Sequence, residues 1–172
     1  TEPIEHPLPD PAARLPGGSQ GSEYWDLMAK FDSGHFVFAR FLLTNLGPGA
    51  HNAVVLGHVV TPSGERVRFR NGRRRARWQL SDDHLALDVN KCHLDLHDGV
   101  ARLRVEKGSV QLELQFALVD GAVPPLQAIP KRYASETLAA NAPVAGHLTL
   151  RGVPGPIRLS GAGAVLHTWT AD

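Results

Sequence analysis

The sequence has few of the residues that support covalent cross-links, thiolate metal sites or a membrane span. Cys92 is the single cysteine, so the chain cannot form an internal disulfide or a thiolate-rich zinc site. The 18 basic and 17 acidic residues nearly cancel, and no apolar run approaches the roughly 20 residues of a transmembrane helix. We therefore expect a soluble protein with no membrane span. One cysteine leaves the compartment open, and we favour the cytoplasm.

The sequence also lacks the periodicity of amphipathic helices. From Glu23 to Trp169, apolar and polar residues alternate in short runs broken by Gly, Pro, Asn and Asp. This pattern is typical of antiparallel strands with one buried face. The runs number about ten and mostly follow one another as hairpins. We therefore predict an all-β protein, either an antiparallel up-and-down barrel or a strongly bent sandwich.

The chain divides into a short arm and one domain. Residues 1–22 are rich in Pro and Gly, so they can neither pair as a central strand nor continue a helix, and we predict an extended arm. The whole chain is 42% hydrophobic, which is enough for one core, and residues 23–172 are predicted to form the barrel domain. Because the chain begins at Thr1, we expect a removed start or a piece of a longer protein.

Arginine is concentrated in one predicted hairpin. Two alternating runs, 65–69 and 76–80, flank Asn71-Gly72, a dipeptide that favours a hairpin turn. The alternation predicts an inward row of Val67, Phe69, Ala76, Trp78 and Leu80. It predicts an outward row of Arg66, Arg68, Arg70, Arg75 and Arg77. Since the aromatic residues fall on the opposite face, we expect an exterior stripe that meets a protein partner or a second domain, and no nucleic-acid groove.

Residues 120–143 are predicted as the longest connection. Connections in compact domains have a median of about 4–6 residues. This segment is therefore either a surface excursion or a lid over one end of the barrel. Within it, residues 131–138 have a composition compatible with a short helix.

Residues 93–97 place His93, Asp95 and His97 on one face of a predicted strand. His93 and His97 would lie about 13 Å apart, too far to share one ion that binds its ligands at about 2 Å. The alternating leucines favour the solvated face of a half-buried strand. We predict no metal at this segment. We also expect no nucleotide or other cofactor, because no Gly-rich loop precedes a helix.

Arg40 and His58 interrupt runs that otherwise have the pattern of buried strands. A polar group in an apolar strand is unfavourable unless it is paired, so each is either a satisfied core residue or a residue that faces a ligand. Trp25 and Trp169 lie near strand ends, where aromatic residues commonly wall the mouth of a barrel. We predict that these four residues line a ligand-binding site.

Three segments carry a resemblance to a known family. They are Glu23-Tyr24-Trp25, residues 144–152, and residues 159–169, which end in His167-Thr168-Trp169. Together with the Gly-terminated hairpins, they resemble the first half of lipocalin-like proteins that include carotenoid hydratases of the hydroxyneurosporene synthase type. Diels–Alderases and tocopherol cyclases are more distant relatives. The resemblance implies a calycin-like barrel that takes up a polyene, terpenoid or polyketide, and it adds His167 to the predicted ligand site.

The chain departs from that family in two ways. His167 and Trp169 match the family's closing motif, but Leu166 stands where the motif carries Asp. Relatives also usually continue into a second lipocalin-like domain, with the ligand near the interface, so the resemblance implies a second domain or a homodimer. A hydratase must protonate a carbon–carbon double bond with a desolvated acid. No residue stands out as that acid, and the catalytic residues stay unassigned.

Two functions are compatible with this sequence. The first is binding of a hydrophobic small molecule inside the barrel, with cyclase, isomerase or hydratase-type lyase activity as an extension of it. The second is a non-enzymatic structural or protein-interaction domain with a filled core. A cavity on the order of several hundred cubic ångströms favours the first, and a solid core favours the second.

Overall fold

The computed structural model describes residues 11–118, 127–129 and 132–170. Most of them lie in β-strands, and Arg75–Arg77 form one 3-10 turn. These ranges contain no helix long and apolar enough to cross a membrane. The strands of the described residues are β1 (Ser22–Phe31), β2 (Phe36–Thr44), β3 (Asn52–Val60), β4 (Arg66–Arg73), β5 (Gln79–Leu80), β6 (Leu85–Asp88), β7 (Cys92–His97), β8 (Val100–Lys107), β9 (Val110–Ala117), β10 (Gln127–Ile129), β11 (Tyr133–Leu150) and β12 (Ile157–Thr170).

The strands form one antiparallel sheet in the order β4-β3-β2-β1-β12-β11-β9-β8-β7-β6-β5, and β10 pairs with β11 beside this path. Most pairs join strands that follow one another along the chain, and β12 returns to pair with β1. The prediction of an all-β, up-and-down protein is confirmed. The curled half-barrel has the architecture of the calycin and lipocalin-like folds.

The core lies on the inner side of the curled sheet. In β2, the alternate residues Val37, Ala39, Phe41 and Leu43 are almost completely buried, as the period-two pattern predicts. Inward side chains from the other strands join them in one continuous apolar cluster. The interior of the barrel is therefore filled by the chain's own side chains.

The prediction of a hairpin turn at Asn71-Gly72 is wrong. Both residues lie inside β4, which stays paired with β3 as far as Arg73. Asn71 is buried, and its side-chain amide donates to the carbonyl oxygen of Val89 at 3.1 Å. Since β4 and β5 are the two unpaired ends of the sheet, this bond links β4 to the residues that follow β6. A contact distant in sequence overrides the local turn signal.

The rows predicted around that turn are partly confirmed. Phe69 and Trp78 are buried, Val67 and Leu80 are half-buried, and the arginines of the outward row are exposed. The prediction that Ala76 points inward is wrong. This residue is exposed because residues 75–77 form the 3-10 turn, in which strand alternation does not apply.

The segment 120–143 also differs from its prediction. The expectation of a short helix over residues 131–138 is wrong, because β11 begins at Tyr133 and continues to Leu150. Residues 119–126 and 130–131 lie outside the described residues, and so does the predicted lid. Of the predicted arm, residues 1–10 are outside the described residues, and residues 11–21 contain no strand.

Candidate functional site

The residues predicted to bind a ligand lie on opposite faces of the sheet. Trp25, His167 and Trp169 face inward at one end of the barrel and are buried. Arg40 and His58 are half-buried on the outward side of β2 and β3. The structure therefore brings these residues together in two groups rather than one.

The inward group, here called the inner cluster, consists of Glu23, Trp25, Glu136, His167 and Trp169. A Glu136 carboxylate oxygen lies 2.8 Å from Nδ1 of His167, and a Glu23 oxygen lies 2.7 Å from Nε2. The strand register explains this arrangement, because Trp25 and Glu136 lie directly opposite His167 on β1 and β11. Glu23 and His167 are 0% exposed, so water does not compete for these bonds.

The inner cluster favours the protonated form of His167. An imidazole that faces carboxylates at both nitrogens can donate to both only when each nitrogen carries a proton. Burial alone would lower the pKa of His167. The hydrogen bonds of its ring to Glu136 and Glu23, together with the negative charge of these carboxylates, outweigh burial and raise the pKa. The guanidinium of Arg14 lies over the Trp169 ring, 3.9 Å from its centre.

The arm closes the inner cluster off from solvent. The main-chain N–H groups of Arg14 and Leu15 each donate to the Glu23 carboxylate at 2.9 Å. The indole N–H of Trp25 donates to the carbonyl oxygen of Pro11 at 3.1 Å. The inner cluster therefore fastens the arm across one end of the barrel, and this role is structural.

Sequence reasoning missed the two carboxylates of the inner cluster. For Glu23 a signal was available, because it is two positions before Trp25 and therefore shares its face of the strand. For Glu136 no such signal exists, because the segment around it has no strand pattern. In the structure the register of β11 with β12 also shifts between Thr137 and Ala142.

The outward side of β1, β2, β3 and β12, here called the outer face, is apolar over most of its area. β2 and β3 carry apolar residues at nearly every position, so both of their sides are apolar. The described strands all belong to one sheet, and β2 makes its close backbone contacts with its neighbours β1 and β3. The half-buried apolar side chains of the outer face are Tyr24, Met28, Phe36, Phe38, Leu42, Val54, Leu56, Val60 and Leu166.

An ion pair lies within the outer face. Arg40 and Asp26 are directly opposite on β2 and β1. The guanidinium donates through Nε at 2.6 Å and through Nη2 at 2.8 Å to the two carboxylate oxygens. It also lies 4.1 Å from the centre of the Tyr24 ring. The Arg40 side chain is 33% exposed, so its remaining N–H groups can donate to an additional acceptor.

His58 is the second polar group of the outer face. Its ring lies between Phe36 and Phe38, with ring centroids 6.1 and 5.7 Å away. Burial lowers the pKa of His58, and the positive charges of Arg66 and Arg68 lower it further. The ring is therefore neutral near pH 7, with one nitrogen that donates and one that accepts.

Two concavities lie on the outward side of the sheet. The first, about 640 Å³, lies where β11 shifts its register against β12, and its lining includes Met28, Phe36 and Ala164. It therefore adjoins the outer face. The second, about 870 Å³, extends across β7, β8, β9, β11 and β12 and is lined by charged residues such as Arg104 and Glu113. We call this second concavity the polar groove.

Residues 93–97 lie in β7, and the side chains of His93, Asp95 and His97 point outward. His93 lies 3.4 Å from Asp88, and Asp95 lies 3.1 Å from His84. Within the described ranges, no three His, Cys, Asp or Glu side chains converge as metal ligands would. The absence of a bound metal stays a prediction.

Comparison with known proteins establishes the fold. No family model matches the sequence, and no curated protein matches it. A protein provisionally assigned as AttH from Nitrosomonas europaea is 16% identical, with a TM-score of 0.64 over 96% of this chain and 58% of its own. CghA in complex with Sch210972 is 14% identical, with a TM-score of 0.62 over 96% of this chain and 52% of its own. CghA alone is 13% identical, with a TM-score of 0.63. The chain thus spans little more than half the length of these structures, and it shares their lipocalin-like fold.

Proposed function

We propose that this protein binds a hydrophobic small molecule on the outer face of its sheet. The observation that carries the proposal is an apolar outward surface that contains an ion pair and a neutral histidine. Apolar side chains fill the barrel interior, so the ligand is placed on the outer face and not inside the barrel. A filled core also favours the interaction domain, which is the second candidate below. The similar structure of CghA is a complex with the compound Sch210972, which supports small-molecule binding by this fold.

The two kinds of side chain on the outer face have different roles in this proposal. Phe36, Phe38 and Leu56 present apolar surface, whose burial contributes about 25 cal/mol per Å². Arg40 suits a carboxylate, enolate or carbonyl oxygen, since charge-assisted hydrogen bonds are the stronger ones. His58 can donate to or accept from a second polar group. The ligand class is therefore an extended polyene, terpenoid or polyketide that carries an oxygen acceptor.

Chemistry on the ligand would have to come from groups that touch it. On the outer face these are Asp26 and His58, whereas His167 is sealed under the arm. A cyclase or isomerase that uses shape and desolvation fits this surface better than a hydratase that uses the inner cluster as its acid. Binding is the part of the function that this proposal commits to.

Fluorescence titration with cis-parinaric acid, a polyene with a carboxylate, tests the proposed site. We expect wild-type protein to enhance its fluorescence. Arg40→Gln should weaken binding by about tenfold or more, since a hydrogen bond to a charged group contributes about 1.5–3 kcal/mol. Arg104→Gln is the control, because Arg104 is also paired with a carboxylate, that of Glu113, but lies in the polar groove.

Two controls make the result decisive. Arg40→Gln leaves Asp26 without its partner, so the double variant Asp26→Asn/Arg40→Gln is measured beside it. Phe38→Ser removes an aromatic side chain from the outer face without changing its charge. Wild-type affinity in both Arg40→Gln and Phe38→Ser would place the ligand elsewhere, and an equal loss in Arg104→Gln would show nonspecific attraction of the carboxylate.

A second candidate function is that of a protein-interaction domain. The outer face is four strands wide, in the order β3-β2-β1-β12, which is broader than one small molecule covers. An apolar face of this breadth is typical of a surface that packs against another protein layer.

A further inference from the structure

We propose that two copies of this chain pack face to face through the outer face, related by a two-fold axis that runs along the boundary between β1 and β2. This inference goes beyond the proposed function and does not depend on it, because the second copy would occupy the same face that the ligand is proposed to use. The dimer itself is argued from the described surface of the chain.

The outer face has the composition of a covered surface. An antiparallel sheet with one solvated side normally alternates apolar and polar residues. The strands around the polar groove follow that rule, with Arg104 and Gln115 outward and Leu103 and Leu114 inward. β3 does not follow it, since Val54, Leu56 and Val60 are outward. Contiguous apolar patches larger than a few hundred square ångströms mark interaction sites.

The area of the outer face is adequate for a dimer. Four strands at about 4.8 Å spacing, nine residues long at about 3.4 Å each, span roughly 20 by 30 Å, or about 600 Å² on each copy. Interfaces of biological size bury more than about 1,000 Å² in total. A single extended segment is about 5 Å wide and would cover one strand only, whereas a second sheet covers all four.

The ion pair of the outer face lies at its centre. In the order β3-β2-β1-β12, the boundary between β2 and β1 is the midline. Asp26 and Arg40 are opposite one another across this midline, near the middle of both strands. A two-fold axis along the midline brings each residue of β2 over the residue of β1 with which it is in register. Arg40 then meets the partner's Asp26, so the charges of the two copies are complementary.

The same axis matches apolar residues with apolar residues. Phe38 is in register with Met28 and Leu42 with Tyr24, so each of these pairs also forms across the interface. Leu56 lies beside Arg40 on β3, and Leu166 lies beside Asp26 on β12. These two leucines therefore meet across the interface as well. An axis along the strands leaves the strand directions of the two sheets aligned, which is a preferred geometry for packed sheets.

Sedimentation velocity of the full chain over a wide range of protein concentration tests the dimer. We expect wild type to sediment as a dimer and Leu56→Lys to weaken association at least tenfold, because it buries a charge opposite an apolar side chain. Gln115→Lys adds the same charge to the outward side of β9, where it is exposed, and should leave the dimer unchanged. Circular dichroism and a thermal melt confirm that each variant is folded.

Charge reversal tests the position of the axis. Asp26→Lys places a positive charge against Arg40 in both copies of the dimer, and Arg40→Glu places a negative charge against Asp26. We expect each variant alone to be monomeric. In an equimolar mixture, the lysine introduced at 26 meets the glutamate introduced at 40, and Arg40 meets Asp26, so a heterodimer should form.

Three results would overturn the inference. They are a wild-type chain that is monomeric at every concentration, a dimer that Leu56→Lys leaves intact, and a mixture of the charge-reversed variants that stays monomeric. Titration with cis-parinaric acid separates the two proposals. Binding of the probe by a chain that stays monomeric would contradict the dimer and support the proposed function. A dimer whose dissociated chains also bind no probe would support the dimer and contradict the proposed function.

Discussion

Charged groups lie among apolar side chains on both sides of β1, and the two sides differ in how these groups are satisfied. On the inward side, Glu23 accepts hydrogen bonds from His167 and from two main-chain N–H groups of the arm, and it is 0% exposed. On the outward side, Asp26 binds Arg40, whose side chain is 33% exposed. The inner cluster is enclosed by the chain itself, and the outer pair still faces solvent.

This difference assigns different roles to the two sides. A buried charge without a partner is strongly unfavourable, so the inner cluster must be fully paired, and it then resists change. A charge that keeps free hydrogen-bond donors on an apolar surface can exchange water for a ligand or for a second protein. We therefore expect substitutions on the inward side to change stability, and substitutions on the outward side to change binding and association.

The largest expected effect is that of Glu23→Gln on stability. The variant leaves the His167 imidazolium with one carboxylate and weakens the bonds to the arm, and breaking a buried ion pair costs about 3–5 kcal/mol. Urea unfolding measures this loss, and limited proteolysis should cleave the arm faster. Glu113→Gln is the control, since Glu113 is 60% exposed beside Arg104. Equal stability of Glu23→Gln and wild type would contradict the structural role of the inner cluster.

The next largest effect is a difference in the free energy of unfolding between substitutions at two neighbouring leucines of β2. Leu43 is inward and 2% exposed, and Leu42 is outward and half-buried. Leu43→Ala should lower the free energy of unfolding by about 2–5 kcal/mol, and Leu42→Ala by about 1 kcal/mol at most. Urea unfolding at a concentration where the chain is monomeric gives both values. Equal losses would show that the chain covers its own outer face as part of the core.

The sequence predicts this alternation well but does not predict which side of a strand is inside. In β2, Phe38 and Phe41 lie on opposite sides, and both sides are apolar. Arg40 and His58 were identifiable because they interrupt apolar runs. Their placement on the outer face depends on how the sheet curls, which is set by contacts among all its strands. No local pattern contains that information.

Two local signals failed for a related reason. Asn71-Gly72 has the composition of a hairpin turn, but Asn71 donates to the main chain at Val89 across the seam between the ends of the sheet. Residues 131–138 have the composition of a short helix, yet Tyr133 opens the long strand β11, which pairs with both β12 and β9. In each case, pairing with distant segments outweighs a weak local preference.

A smaller effect concerns pH and the inner cluster. The pKa of His167 is raised in the folded protein by Glu136 and Glu23 despite burial. Its contribution to stability is therefore complete below the unfolded value of about 6.5 and is lost as pH rises through the folded pKa. We expect urea unfolding to show falling stability between about pH 6.5 and pH 8.5, the range below thiol ionisation.

The control for this pH effect is His167→Gln, which should flatten the dependence. Some slope will remain in the variant, because a hydrogen bond from His84 to the Asp95 carboxylate also raises the pKa of His84. If His167→Gln left the dependence of stability on pH unchanged, the inner cluster would not hold a proton on His167. The outer-face histidine, His58, has a lowered pKa and titrates below this range.

The smallest expected effect on stability is that of the double variant Asp26→Asn/Arg40→Gln. Partly exposed ion pairs contribute about 0–1 kcal/mol, and removing both charges together leaves neither partner unpaired, so the unfolding midpoint should stay close to that of wild type. The same variant should weaken binding of cis-parinaric acid and association of the two copies, because both depend on the charges at the centre of the outer face. Urea unfolding beside a probe titration and sedimentation velocity gives all three quantities. A large loss of stability with unchanged binding would reverse the assignment: Asp26 and Arg40 would then be structural like Glu23 and His167, and the difference between the two sides of β1 would disappear.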